Sequence, residues 1–167
     1  ALGKLWYDFH VDCLDEICAI IENAVHSVDE NIKMGLMTGS TADGKWFETL
    51  KATKGRAGGG YYTDTVPKNV ASKYLTCEYQ LDAIYPDSVT DTQYEFENFP
   101  YPEYGKSKTI TELEALFALF SGCKGIAYNA IYFSDNQWLL DIVAENNDQW
   151  KEIVKRTKNS VNNGVCT

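Results

Sequence analysis

The sequence predicts an α/β fold in which parallel strands alternate with helices. Helical apolar spacing alternates with short apolar runs, in the order helix and then strand–helix four times. Such alternation is typical of parallel strands joined by right-handed crossovers. A length of 167 residues with 44% hydrophobic residues suits one core, so we expect residues 1–167 to form a single domain. Two architectures fit the pattern: an open doubly wound sheet, or half of an eight-stranded (β/α)8 TIM barrel.

The first elements follow from apolar spacing. Apolar residues from Leu2 to Val28 recur every three or four positions, which predicts a long helix with one buried stripe. The run "NIKMGLMTG" at residues 31–39 is short, apolar and closed by glycine, as in a buried strand. A second helix is expected over "DGKWFETLKA", residues 43–52, and a short strand at residues 59–62.

The later elements follow from capping signals and alternation. Pro67 stands at a first helical position, and Thr109 with Glu112 forms a capping-box pattern ahead of another helix. Gly122 provides a stop for that helix. The remaining predicted elements are a helix from residue 67 to 84, strands at 92–98 and 124–133, and one broken helix or two over 137–158.

Composition excludes several function classes. With 15 Lys and Arg against 24 Asp and Glu, the net charge is -9, which disfavours nucleic acid and anionic membrane surfaces as partners. No run approaches the roughly 18 apolar residues of a membrane span, and signal-peptide zones are missing, which favours a cytoplasmic location. The five cysteines lack zinc-site spacing and are expected to be reduced and buried. With two histidines, no metal or organic cofactor is expected.

An acid–aromatic ladder is the most informative local pattern. In "TDTQYEFENFPYPEYGKS", residues 90–107, Glu95 and Glu97 share one face of the predicted strand, and Tyr94 and Phe96 share the other. The aromatic face suits packing under helices. The carboxylates would then face a barrel interior near the strand's C-terminal end, where one could attack a sugar's anomeric carbon. The alternative is that both acids lie on a solvated rim or an edge strand.

Three stretches resemble one enzyme family. "YEFENFPYPEYGKS", with "AVHSVDENIKMGLMTGS" and "RAGGGYY", is similar to the C-terminal half of a β-galactosidase-like glycoside hydrolase of the retaining (β/α)8-barrel type. The resemblance implies that the four strands are barrel strands five to eight. It also implies a nucleophile at the end of the seventh strand, which is Glu95 or Glu97. We favour Glu95, with Glu97 as a sugar-hydroxyl contact.

The same resemblance implies that the chain is a fragment. The family's general acid/base follows the fourth strand, and no residue of this chain matches it. We therefore expect a glycosidase fragment, active on β-galactosides or related sugars in its whole form and inactive alone. The alternative is a noncatalytic, flavodoxin-like α/β binding or interaction domain. A half barrel leaves open edges and an uncovered face, so we expect a homo-oligomer or association with an N-terminal half.

Five further residues are candidate sugar contacts beside the glutamates. Arginine forks bind hydroxyls and carboxylates, and tyrosine rings stack on sugars. Each candidate also has an ordinary interpretation as a turn, surface or loop-supporting residue. Two of them are near the end of the sixth barrel strand (Arg56 and Tyr61), two are on the loop after the glutamates (Tyr104 and Lys106), and one is at the end of the eighth strand (Asn129).

Overall fold

The computed structural model describes residues 2–37, 45–58, 68–97, 105–129 and 137–158. In these ranges the strands form one parallel sheet in consecutive order, which confirms the predicted α/β fold. The strands are β1 (Gly35–Met37), β2 (Lys54–Gly58), β3 (Asp91–Phe96) and β4 (Gly125–Tyr128). β2 precedes the strand predicted at residues 59–62, which lie outside the described ranges.

Helices alternate with the strands. They are α1 (Leu2–His26), α2 (Trp46–Thr49), α3 (Lys68–Tyr79), α4 (Lys108–Phe120) and α5 (Gln137–Thr157), and a π-helical turn, Gln80–Ile84, continues α3. α5 is one helix rather than two. The predicted capping box at Thr109 was wrong, because α4 begins two residues earlier: the Ile110 amide donates to the Ser107 hydroxyl at 3.3 Å, so Ser107 is the N-cap.

The sheet has two different faces. One is covered by helices: Ala57, Tyr94 and Phe96 pack with Cys77 of α3 and Ala118 of α4. Ile126 packs in the same way against α4 and α5, and Leu36 against α2. We call the opposite side the open face, since none of the described helices packs on it. Its residues are Gly35, Met37, Lys54, Arg56, Asp91, Gln93, Glu95, Gly125 and Ala127.

α1 is oriented opposite to the expectation from its pattern. The stripe predicted to be buried is exposed, with Leu2 at 83% and Trp6 at 64%. The side toward α2 is narrow and partly polar: Asp15 accepts from the Lys45 amide at 3.4 Å, and buried Glu22 contacts Lys51. Periodicity therefore identified the stripe correctly but not what covers it. No described helix is long and apolar enough to cross a membrane.

Candidate functional site

β3 carries the predicted ladder on its two faces. Thr92, Tyr94 and Phe96 are buried under the helices, while Glu95 lies on the open face. The Glu95 side chain keeps 16% of its surface exposed. Because β3 ends at Phe96, Glu95 lies at the carboxyl end of a parallel strand, where α/β folds collect their ligands.

Arg56 on β2 fixes the Glu95 carboxylate. Arg56 is paired in register with Gln93, which lies two residues before Glu95 on β3. The Arg56 side chain therefore reaches diagonally toward the strand end. Its Nη2 lies 2.7 Å from Glu95 Oε1. A charge-assisted contact of this length restrains the carboxylate. The structure thus brings together two of the predicted site residues.

A second charged row lies below this pair. Lys54 Nζ is 3.2 Å from Asp91 Oδ2, and Gln93 Nε2 donates to Asp91 Oδ1 at 2.6 Å. The Gln93 hydrogen bond, and then Lys54, lower the pKa of Asp91. The open face of β2 and β3 is therefore polar along its whole length, unlike the apolar face beneath it.

β4 contributes small residues next to β3 on the open face. On the open face it contributes Gly125 next to Gln93 and Ala127 next to Glu95. A Cβ atom at Gly125 would lie 2.6 Å from the Gln93 side-chain oxygen, so glycine is needed for Gln93 to occupy its position. The Gln93 side chain thus fills the space over Gly125, while at Ala127 β4 places only a methyl group next to Glu95 on the open face.

Two more predicted residues lie at the same end of the sheet. Glu97 directly follows β3 and is partly buried, and Asn129 directly follows β4 and is exposed. The Asn129 amide donates to the Phe96 carbonyl at 2.9 Å, so the ladder continues past the strands. Extending the register of Glu95 with Ala127 by two residues makes Glu97 and Asn129 neighbours. Predicted contacts Tyr61 and Tyr104 lie outside the described residues.

Lys106 is not brought to the open face. Its side chain is only 2% exposed, and its Nζ lies 2.7 Å from Glu114 Oε2, among the helices. The same Nζ is 4.4 Å from the centre of the Phe96 ring and donates to the Glu97 carbonyl at 3.4 Å. Burial lowers the pKa of Lys106 to about 8, although the Glu114 carboxylate opposes that shift. Lys106 therefore supports the strand end from the helix-covered side rather than lying on the open face.

Lys106 belongs to a buried ionic cluster that sequence reasoning missed. Glu114 of α4 accepts hydrogen bonds from Lys106, from Lys73 of α3 and, at 2.7 Å, from the Tyr94 hydroxyl. Burial, followed by the Glu114 charge, raises the pKa of Tyr94. One signal was available: Glu114 falls on the stripe of α4 that also carries buried Thr111 and Ala118. A glutamate there requires buried partners.

Gln80 holds the end of β2 in a similar way. Its fully buried side chain accepts from the Gly58 amide at 2.6 Å and donates to the Gly58 carbonyl at 3.4 Å. Gly58 has φ +104°, a left-handed conformation that favours glycine. The strand that carries Arg56 is therefore anchored two residues beyond it.

No described cluster of three or more His, Cys, Asp or Glu side chains could hold a metal ion. The Cys77 and Cys123 thiols are buried 3.5 Å apart in the helix layer, away from Glu95. Comparison of the chain with family models, with curated proteins and with solved structures found no match. The resemblance to glycoside hydrolases therefore stays a prediction.

Proposed function

We propose that this chain is the nucleophile-bearing half of a retaining β-glycosidase, with Glu95 as the nucleophile. The observation that carries the proposal is the position of Glu95: a carboxylate at the carboxyl end of a parallel strand, on the open face, held at 2.7 Å by Arg56. A carboxylate that an arginine restrains at a strand end on the open face suits the role of the nucleophile in covalent glycoside catalysis.

Two features of the fold support the half-barrel interpretation. The strand order is consecutive, β1-β2-β3-β4, and the packed helices share one face of the sheet. A doubly wound sheet reverses its strand order at a switch point and carries helices on both faces. In a barrel, strands follow one another and helices stay outside, so the open face would be the interior. Glu95 would then lie at the end of the barrel where such enzymes place their chemistry.

The reaction follows from the positions of these groups. A Glu95 carboxylate oxygen attacks the anomeric carbon and forms a glycosyl ester as the glycosidic C–O bond breaks, and the leaving oxygen takes the electron pair. In this reaction Arg56 orients the carboxylate, and we propose that Glu97 and Asn129 bind sugar hydroxyls. Water then hydrolyses the ester in the second step.

The second carboxyl group of a retaining enzyme must flank the bond, about 5 to 5.5 Å from the first. Glu97 is two residues beyond Glu95, which corresponds to about 6.6 Å along the strand direction, and it projects to the same side as Glu95. It is therefore poorly placed to protonate a leaving group across the sugar. We expect no turnover of natural glycosides by this chain alone.

An activated substrate separates the nucleophile from the missing acid. A dinitrophenyl β-galactoside needs no proton for its leaving group, and its phenolate is coloured. Rapid mixing should give a burst approaching one phenolate per chain, followed by slow release, because no general base activates water. Glu95→Gln should abolish the burst, whereas the matched Glu97→Gln variant should retain it.

Other outcomes have clear meanings. A burst of unchanged size in Glu95→Gln would remove Glu95 as the nucleophile. Sugar binding without any phenolate release, across a panel of activated β-glycosides, would instead support a noncatalytic α/β binding domain.

A further inference from the structure

α1 presents an apolar surface that none of the described residues covers. Eight large apolar side chains of this one helix are at least 44% exposed: Leu2, Leu5, Trp6, Phe9, Leu14, Ile17, Ile20 and Ile21. We call this set the α1 stripe. Monomeric soluble proteins rarely expose a continuous patch of this kind, and such patches mark interaction surfaces.

A second apolar surface lies at the other end of the sheet. Between β4 and α5 a groove of about 280 Å³ is lined by Ile126, Tyr128, Val143, Trp150 and Val154. We call it the β4–α5 groove. The Trp150 indole nitrogen is buried and has no hydrogen-bond partner among the described residues. In the described sheet β4 has a neighbour on one side only, as does β1 at the opposite end. As far as the described residues go, both end strands therefore have one edge without a neighbouring strand.

We propose that these two surfaces bind each other in a two-fold symmetric dimer of this chain. The α1 stripe of one copy would seat in the β4–α5 groove of its partner, and the β1 edge of the first copy would pair with the β4 edge of the second. Because all strands are parallel, a two-fold axis along the strands forms both contacts at once. Eight strands would then enclose the open face.

The position of α1 explains why a neighbouring strand is needed. In a parallel α/β layer, a helix packs across the strand that precedes it and the strand that follows it. α1 precedes β1, and its polar side already contacts α2 through Asp15. Its apolar side therefore faces the position that a strand preceding β1 would occupy in the sheet. The partner's β4 would occupy that position, with Ile126 and Tyr128 directed toward the helix layer.

Charge distribution favours this pairing over contact between two α1 helices. Asp12 and Glu16 border the α1 stripe, whereas Lys124 and Lys151 border the groove. Two α1 stripes facing each other would bring like charges together, but stripe against groove pairs opposite charges. Acidic residues beside the α1 stripe of one copy would therefore meet lysines beside the groove of the other copy at the edge of each contact.

The area is sufficient for a stable dimer. A fully exposed aromatic side chain presents about 150 to 250 Å². Eight half-exposed large side chains thus offer on the order of 700 Å², close to what each partner contributes to a standard interface. The symmetric dimer contains this contact twice. The inference does not depend on Glu95 being a nucleophile, since it uses neither the charge nor the reactivity of that residue.

Sedimentation velocity across a concentration series tests the dimer. We expect the wild-type chain to dimerise, and Phe9→Asp with Ile20→Asp to raise the dissociation constant at least about thirtyfold, the effect of removing central apolar anchors. Both side chains are exposed, so circular dichroism should be unchanged. Leu75→Asp, at an equally exposed apolar residue on α3, is the matched control and should leave the dimer intact. A wild-type chain that stays monomeric at the highest concentration of the series would overturn the proposal.

Mixing two defective chains tests which surfaces meet. The stripe variant keeps an intact groove, and a Lys124→Glu with Lys151→Glu variant keeps an intact stripe. Their mixture should form a heterodimer with one intact contact, more stable than either variant's homodimer. If two α1 helices paired instead, the groove variant alone would dimerise like wild type and mixing would add nothing. That result, or a dimer unaffected by the stripe variant, would contradict the proposal.

Discussion

Glu95 and Glu114 are two carboxylates on opposite sides of the same sheet, and their surroundings differ sharply. The Glu114 side chain is 4% exposed and bonded to Lys73, Lys106 and Tyr94. Glu95 lies on the open face, restrained by Arg56 from a neighbouring strand, and keeps 16% of its side-chain surface exposed. One carboxylate is enclosed within the core by three partners, while the other is partly exposed and held by one arginine. An acid in a sequence pattern therefore acquires its role from the face on which it lies.

The buried cluster also connects the two faces. Tyr94 immediately precedes Glu95 in the chain, and its hydroxyl donates to Glu114. Lys106 joins Glu114 to the carbonyl of Glu97. The backbone that carries both candidate site glutamates is thus held from behind by charged groups shielded from water. We infer that the helix-covered face provides stability and the open face provides chemistry.

Removing Glu114 should give the largest loss of stability. Glu114→Ala leaves the buried Lys73 and Lys106 amines without their shared carboxylate, so the free energy of unfolding should fall by about 3 to 5 kcal/mol. Urea denaturation measures the change. Glu112→Ala, at a more exposed glutamate of the same helix, is the control and should cost under about 1 kcal/mol. Equal losses in the two variants would contradict the role assigned to the cluster.

A compensated variant sharpens the same point. Glu114→Leu combined with Lys73→Met and Lys106→Met removes the three charges of this buried cluster together. Because apolar groups of similar volume can replace a buried ion pair with little loss, this variant should recover much of the stability that Glu114→Ala loses. Stability as low as that of Glu114→Ala would mean that packing, rather than charge, explains the single-variant effect.

The lowered pKa of Lys106 predicts a pH dependence of stability. The folded value is about 8 against an ordinary value of 10.5, so between these values the unfolded chain binds more protons. The free energy of unfolding of wild type, relative to Lys106→Met, should therefore increase as pH rises from 8 to 10.5, by up to about 3 kcal/mol. Urea midpoints at half-unit intervals measure it. A difference that is flat or falls with pH would contradict the burial of this amine.

Gly58→Ala should have a smaller effect. A Cβ atom there would lie 3.0 Å from the Tyr94 ring, in a backbone conformation with φ +104°. We expect a loss of about 1 to 3 kcal/mol in the free energy of unfolding. Gly122→Ala is the matched control, because Gly122 has φ +107° but open space around its Cβ position. A loss no greater than that of Gly122→Ala would show that Tyr94 does not restrict the end of β2.

Arg56→Met should change stability least, although it alters the proposed site. The Arg56 side chain is 35% exposed, and pairs of this exposure contribute under about 1 kcal/mol. Lys54→Met provides a control on the same strand and face. In burst assays Arg56→Met should slow phenolate release at least about tenfold, since Glu95 loses its orientation. Loss of folding stability comparable to Glu114→Ala would contradict the division between the two faces.

Local patterns predicted much of this molecule. The bounds of α1, the alternation of parallel strands with helices, and the opposite directions of Tyr94 and Glu95 follow from periods of 3.6 and 2 residues, which are local properties. The helix predicted over residues 67–84 ends where the π-helical turn after α3 ends, and the Ser107 cap lies two residues before the predicted cap at Thr109.

Contacts between distant residues could not be predicted in the same way. Lys73 and Glu114 are 41 positions apart, and nothing near either residue in the sequence indicates the other. Lys106 was predicted to line the sugar site because it follows the glutamates, but burial against Glu114 directs it to the other face. The apolar pattern of α1 showed which residues share a side without showing that the opposite side contacts α2.

Covalent labelling tests the central claim most directly. The chain is incubated with a dinitrophenyl 2-deoxy-2-fluoro-β-galactoside, whose glycosyl ester hydrolyses slowly, and is then digested for peptide mass spectrometry. We predict one added fluorosugar per chain, on the peptide that contains residues 94–97, with fragmentation assigning it to Glu95 and with no label in Glu95→Gln. A label on another residue, or an unlabelled chain across the corresponding glucoside and mannoside, would contradict the account.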